Sequence, residues 1–399
     1  MVLFKIIGRN ILTISCIRAS KLSTFLFFCI LWALESTTTV LLTRHRYSGL
    51  LDRVGGLVDL EIKAIFPNAV QDSSSLYLLN SNSDTLNMVP PLVSYLRLIG
   101  SRLATGTTAH ELLNNVRGMS IEIQNEWSLE YECVESKRDG ENFTSKTLLC
   151  CIAQSIVGNL ALDPENAEER LRILETKSGF HLIHVDRDIS AIYETQKASW
   201  RERPFQYSAS LHIDISISVL NLLRSMATKS SADNNVLTLL DTCCGSGTNI
   251  VMALKLGFER CIGFDINQAC ISGTKQNLRH ENIFDQTSIL LSNKDVTLFS
   301  CKHYEGDKAI LENLNEVNVV FANLPWGESV KEYCGENVYI IAKTRKLIGA
   351  RGGIPCAFIF SNKFDILSYI SNTSKSGYKI LKIVNLGIET LVLCETVQL

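Results

Sequence analysis

Proline is scarce in this chain, with seven in 399 residues. That excludes collagenous and proline-rich extended proteins, and the 23 glycines form no linker or low-complexity tract. Charge of one sign is lacking too. A formal net charge of −2 excludes a protein that holds nucleic acid by bulk charge, although a local basic groove would be hidden by the average. The thirteen cysteines show no CxxC or His-x-Cys spacing, and Cys150/Cys151 and Cys243/Cys244 are adjacent pairs. Neither a zinc site nor a disulfide scaffold is expected from such a pattern, and buried thiols in a reducing compartment are. His181 and His184 lie three apart in an apparent strand, hence on opposite faces, and no metal is expected there. What remains is an ordinary globular composition, 46% hydrophobic and 20% charged, in a chain long enough for two or three cores.

Residues 1–34 contain no acidic side chain but carry Lys5, Arg9, Arg18 and Lys21, followed by an apolar run from Leu22 to Leu34. The run is short for a spanning helix, which needs about 20 residues. An organelle-directing leader over 1–40 fits this better than a secretion signal, which sits badly with unpatterned cysteines, and a start placed upstream of the real domain fits equally well. The expected location is the cytoplasm or an organelle, not outside the cell.

From Val40 the chain reads as a small α+β unit over 41–195. Thr39–Thr43, Ser75–Leu79, Glu126–Cys133 and Phe180–Val185 are strand candidates. Leu57, Leu60, Ala64 and Ile65 share one face of a helix closed by Pro67. Pro90-Pro91 is expected to open a helix through Leu98, and Leu148–Leu162 forms an apolar helix. Asp163-Pro164 is expected to cap another helix, carrying Glu165, Glu168 and Glu169 and ending at Gly179. The texture changes between Tyr193 and Pro204, which marks a domain boundary. Leu211–Ser218 fits a strand and a helix face equally well. Beyond Asp233, strands and helices alternate to the C-terminus, where Tyr378–Leu386 and Thr390–Val397 form an antiparallel pair. That alternation implies a mostly parallel, doubly wound sheet over 203–399.

The chemistry lies in this second region. Asp241-Thr242-Cys243-Cys244-Gly245-Ser246-Gly247-Thr248 follows a strand and opens a helix. Its glycines permit a tight turn, and the helix N-terminus offers N–H groups to an anionic ligand. Ile250 occupies the third-glycine position of a dinucleotide fingerprint, so that fingerprint is absent. Asp265, ending the next strand and followed by Ile266, is placed to accept both hydroxyls of a ribose. Asp295, beyond the third strand, sits where an adenine amine donates. Asn323-Leu324-Pro325-Trp326-Gly327 ends the strand Val317–Ala322 at the edge where ligands bind. It combines a polar acceptor, a rigid backbone and an aromatic face, which suits a flat base bearing an exocyclic amine.

These two motifs together resemble the class I S-adenosylmethionine-dependent methyltransferases, and more narrowly the THUMP-associated RNA methylases that act on guanine N2 of tRNA and rRNA. The lead-in Arg203-Pro204 through Ser210-Leu211 resembles that family's entry helix, which favours helix over strand for Leu211–Ser218. Gly56-Leu57-Val58-Asp59-Leu60-Glu61-Ile62 resembles the opening of its N-terminal RNA-binding module. Thr242 stands where the family has proline, and Asn323 where its tRNA guanine enzymes commonly have aspartate.

The resemblance implies an α/β, Rossmann-like methyltransferase domain, seven-stranded and mostly parallel, behind a smaller α+β THUMP-like domain. S-adenosyl-L-methionine is the implied cofactor, held by Asp241, Cys243, Gly245, Gly247, Thr248, Asp265, Ile266 and Asp295. Asn323, Leu324, Pro325 and Trp326 take the target base. The implied partner is RNA, tRNA above rRNA. A small activating subunit is allowed for, and no stable membrane partner is expected. Competing readings are a DNA adenine-N6 methyltransferase, a protein glutamine methyltransferase and a degenerate RNA-binding subunit.

Overall fold

Leucine and β-branched runs, cut by glycine and acidic turns, build two seven-stranded sheets, besides a short antiparallel pair of Ile6–Ile7 with Ile11–Leu12. The computed structural model describes residues 6–7, 11–12, 38–43, 51–73, 75–80, 89–119, 121, 123, 126–134, 145–156, 167–230, 236–283, 288–297, 308–325, 334–362 and 366–398. The apolar run Leu22–Leu34 and Asp163-Pro164 lie outside them. Among the described residues, no helix is long and apolar enough to cross a membrane.

The chain divides into two compact units, and the division is not a single cut. The first comprises residues 1–45, 68–87 and 97–188, the second 46–67, 88–96 and 189–399. In chain order the early elements are β1 (Thr38–Thr43), α1 (Leu51–Ile65), β2 (Val70–Ser73), β3 (Leu76–Asn80), β4 (Leu96–Gly106) and α2 (Ala109–Arg117). They are followed by β5 (Trp127–Cys133), α3 (Ser145–Ser155), β6 (Glu169–Glu175) and β7 (Phe180–Asp188). All but α1 belong to the first unit, whose sheet has the order β2-β3-β1-β4-β7-β6-β5. Leu112, Val116, Leu148 and Ile152 of α2 and α3 pack on Leu171, Ile173 and Leu182. Val40, Leu98, Leu174 and Ile183 pack on the opposite face.

Two expected helices are absent. Residues 89–95 are irregular and lead into β4. Proline restricts its predecessor away from helical backbone, and the Ser94 and Tyr95 N–H groups donate to the buried Glu61 carboxylate (3.1 and 3.0 Å) rather than to a helix. Residues 169–175 are strand, paired to β5 and β7, with Leu171 and Ile173 packed on one face of the sheet and Leu174 on the other. Arg172 pairs with Glu130 on the neighbouring strand. The expected boundary between 195 and 203 is also displaced. The helix α1 packs in the second unit, where Leu57 and Val58 join its core. The stretch Gly56–Ile62 therefore lines the second core.

The second unit continues with α4 (Ser190–Arg201), α5 (Ile213–Ser230), β8 (Thr238–Asp241), α6 (Thr248–Lys255), β9 (Arg260–Phe264), α7 (Gln268–His280) and β10 (Ile289–Ser292). Then come α8 (Lys308–Leu314), β11 (Val319–Asn323), α9 (Cys334–Leu347), β12 (Pro355–Ser361), α10 (Ile366–Ser371), α11 (Thr373–Ser376), β13 (Tyr378–Asn385) and β14 (Glu389–Thr396). Leu211–Ser218 thus resolves largely as helix. The seven-stranded sheet has the order β10-β9-β8-β11-β12-β14-β13, with β14 antiparallel to both neighbours. Phe321, Ile359 and Leu391 face one core, and Ala322, Phe358 and Val392 the other. The order reverses between β8 and β11, so their C-terminal ends flank the crevice where such sheets bind ligands.

Candidate active site

Asp241, the last residue of β8, is fully buried. Its Oδ1 accepts the Cys243 N–H (3.0 Å) and its Oδ2 accepts Asn249 Nδ2 (3.1 Å), while Asn249 Oδ1 accepts the Ser216 hydroxyl (2.8 Å). Burial pushes its pKa up to about 7 despite these bonds. Asp241 thus holds the turn from behind, with its carboxylate directed inward.

The turn needs its glycines. Gly245 (φ 53°) and Gly247 (φ 82°) adopt left-handed backbone. A Cβ on Gly247 would meet Thr274 Cγ2 at 2.6 Å, whereas one on Gly245 would meet only the Tyr207 ring, at 3.7 Å. Thr274 Oγ1 donates to the Gly245 carbonyl (2.8 Å), and the Gly247 N–H donates to the Cys244 carbonyl (2.8 Å). Thr248 is buried at the start of α6, whose first intrahelical bond runs from the Val251 N–H to the Gly247 carbonyl (2.9 Å). The first-turn N–H groups ahead of that bond face the turn.

Asp265 follows β9 and is half-buried. Its Oδ2 accepts the Gly245 N–H (2.9 Å) and its Oδ1 the Asn267 N–H (2.8 Å), which fixes the carboxylate beside the turn. Burial raises its pKa, and the two backbone bonds oppose that. Ile266 beside it is 71% exposed, an apolar side chain offered outward. Asp295 Oδ1 accepts from the Thr297 N–H (2.8 Å) and hydroxyl (2.7 Å). Burial, then the carboxylates of Asp241, Asp265 and Asp295, push the Cys243 thiol up.

Asn323 ends β11, and its Nδ2 donates to the Ala209 carbonyl (3.4 Å). Leu324 is buried, its N–H donating to the Ile359 carbonyl (2.8 Å). Pro325 is exposed, and its carbonyl accepts Asn337 Nδ2 (3.0 Å). Trp326 and Gly327 lie outside the described residues.

The segment 203–212 joins these parts, and its individual contacts carried no signal in the sequence. Asn277, buried on α7, accepts the Phe205 N–H with Oδ1 and donates Nδ2 to the carbonyls of Phe205 and Ser246 (2.9 Å each). Phe205 and Tyr207 stack at 6.4 Å, and the hydroxyls of Ser210 and Ser246 are 2.6 Å apart. One strap therefore touches the glycine turn at Ser210 and the end of β11 at Ala209.

This sheet order, with a glycine turn after its first strand and an acid after its second, defines a Rossmann-like α/β domain with its ligand crevice at that edge. Comparison with known proteins finds local similarity. Residues 236–351 match the RNA cap guanine-N2 methyltransferase family. The chain is similar to a ribosomal protein L11 methyltransferase of Alteromonas mediterranea, 41% identical over 54 residues that cover 14% of this chain and 18% of that protein. It is also similar to the type II methyltransferase M.VspI of Vibrio sp. (strain 343), 27% identical over 100 residues, 25% of this chain and 22% of that one. The chain thus spans about a fifth of the length of these curated relatives. The structure of TrmN from Thermus thermophilus aligns over 90% of this chain and 100% of its own, at 14% identity and a TM-score of 0.47.

Proposed function

We propose that this protein is an RNA methyltransferase that methylates an exocyclic base amine, guanine N2 of tRNA above all, using S-adenosylmethionine. The observation that carries the proposal is the convergence of the glycine turn, Asp265 and Asn323 at one sheet edge, tied together by the strap 203–212. The residues present fit the cofactor. The left-handed Gly245 lets the turn backbone run close under the Tyr207 ring, the Asp265 carboxylate can accept ribose hydroxyls, and the exposed Ile266 offers an apolar surface for a purine. Three acids whose charges reach the Cys243 thiol suit a positively charged ligand. When bound, S-adenosylmethionine supplies an electrophilic methyl group on a sulfonium centre.

Gly245, Gly247 and the N-terminus of α6 hold the amino-acid end, Asp265 the ribose, and Asp295 the adenine side. Asp241 and Thr248 shape the turn. Asn323 accepts a hydrogen of the target amine and orients its lone pair, so its contribution is positioning and electrostatics. Trp326 stacks on the flipped base, an interaction of about 1–3 kcal/mol. RNA capture is assigned to the first unit, as a THUMP-like module.

Purified protein incubated with S-adenosylmethionine and, separately, unmodified tRNA, rRNA and duplex DNA tests this by mass spectrometry of the nucleosides. N2-methylguanosine in tRNA is expected. N6-methyladenine in DNA, or methyl transfer to none of the three, would sink the proposal.

A further inference from the structure

Glu389 is the first residue of β14, buried to 6% exposure, and among the described residues its Oε1 has no hydrogen-bond partner. A buried carboxylate oxygen without a donor is costly, and such groups are normally satisfied. The turn that precedes Glu389 does not use the carboxylate. Asn362 Nδ2 donates to the Gly387 carbonyl (2.7 Å), Asn385 Oδ1 accepts the Gly387 N–H (2.8 Å), and the Leu386 N–H donates to the Glu389 backbone carbonyl (2.9 Å). Burial alone pushes the carboxyl up to a pKa of about 7.

Its placement joins it to the base loop. Asn323 is level with Ile359, and Ser361 with Glu389. By the two-residue period, Asn323, Ser361 and Glu389 share the face of Phe321, Ile359 and Leu391. Glu389 thus lies two strands across and two residues beyond Asn323, roughly 12 Å between Cα atoms from ordinary strand spacings. Both are at the C-terminal edge of β11 and β12, where the sheet takes its ligand.

We propose that Glu389 recognises the target guanine, its two carboxylate oxygens accepting the adjacent N1–H and N2–H donors while Asn323 takes the other N2 hydrogen. This rests on the guanine-N2 reading above and gives the site a basis for choosing that base. Guanine presents an imino donor beside its amine, whereas adenine presents a ring acceptor there, which a carboxylate repels.

The test compares wild type with Glu389→Gln on a tRNA transcript whose accepting guanosine has been mapped by mass spectrometry, and on the same RNA carrying 2,6-diaminopurine there. Diaminopurine keeps the N2 amine but has a ring acceptor at N1, which a carboxamide can satisfy and a carboxylate cannot. Wild type should favour guanine by about 10- to 100-fold in kcat/KM. Glu389→Gln should lose a similar factor on guanine and gain on diaminopurine, with S-adenosylmethionine affinity unchanged by calorimetry. Glu389→Asp, which keeps the charge, should retain the guanine preference at a lower rate and covers the case of an unstable glutamine variant. Equal losses on both purines, or no loss on guanine, would overturn the assignment of Glu389 alone. Wild-type methylation of a base other than guanine would overturn both the assignment and the reading beneath it.

Discussion

A chain cut at residue 203 retains every residue proposed to hold the cofactor or the target base, yet it should not fold. The helix α1 and the segment 88–96 are part of the second core, where Leu57 is 0% exposed, Val58 7%, Leu92 6% and Tyr95 3%. Burying each such side chain contributes about 1.5–3 kcal/mol, so the cut forfeits about 6–12 kcal/mol before the lower ordering cost is credited. Whole domains are stable by about 5–15 kcal/mol. The polar link is equally internal: Glu61 Oε1 accepts the Ser94 N–H (3.1 Å) and Asn221 Nδ2 (2.9 Å), and Oε2 accepts the Tyr95 N–H (3.0 Å). Glu61→Ala would leave three buried donors without an acceptor, at about 1–3 kcal/mol each, offset in part by releasing a buried carboxylate. A net destabilisation of about 2–4 kcal/mol is expected, and less for Glu61→Gln, which keeps an oxygen for Ser94 and Asn221. Differential scanning calorimetry of the full chain, Glu61→Ala and the 203–399 fragment checks this. A fragment that melts cooperatively within a few degrees of the full chain and binds S-adenosylmethionine normally would refute the reasoning.

Two further outcomes are expected. Asp265→Ala should weaken S-adenosylmethionine binding by about 1.5–3 kcal/mol for each charge-assisted hydrogen bond to the ribose that it removes. It should also loosen the turn, because the Gly245 and Asn267 N–H groups are then left without their acceptor. Titration calorimetry showing wild-type affinity would remove Asp265 from the cofactor site. Asp241 has a folded pKa raised from 3.8 to about 7, so the folded state holds a proton that the unfolded chain releases first. Its contribution is fully present below about pH 4 and is lost as pH rises through 7. Asp241→Asn should therefore flatten the decline of the unfolding midpoint across that window, and parallel curves for the two proteins would rule that out.

Local structure was legible wherever it was written in consecutive residues. Val319–Asn323 and Arg260–Phe264 are apolar runs ending at the ligand edge, and the Gly245–Gly247 turn is required by left-handed backbone that disfavours other residues. Where periodicity failed, burial explains the failure. Residues Ile213 to Leu223 of α5 are buried on every side, from Ile217 and Val219 to the polar Ser216, Ser218 and Asn221. A helix with no solvent face carries no 3.6-residue stripe, and its first turns fit a strand as well. Residues 169–175 misled for the converse reason, since acids that suit a helix N-terminus here flank a strand paired to β5 and β7.

The remaining failures are non-local. The allegiance of α1 to the second unit depends on Glu61 meeting donors 33, 34 and 160 residues away, and no window of sequence contains both sides of that interaction. Asn277 is similar: an asparagine in an amphipathic helix reads as solvated until the strap at 205 and the carbonyl of Ser246 are seen to share its amide. Glu389 is the extreme case, because what distinguishes it is a missing partner. Sequence records which groups can donate and accept, but an unsatisfied acceptor exists only once the fold has removed water and supplied nothing in its place. Turns built from consecutive residues are thus open to a reader of sequence, while the buried groups that hold them in place emerge only when distant strands are brought into register.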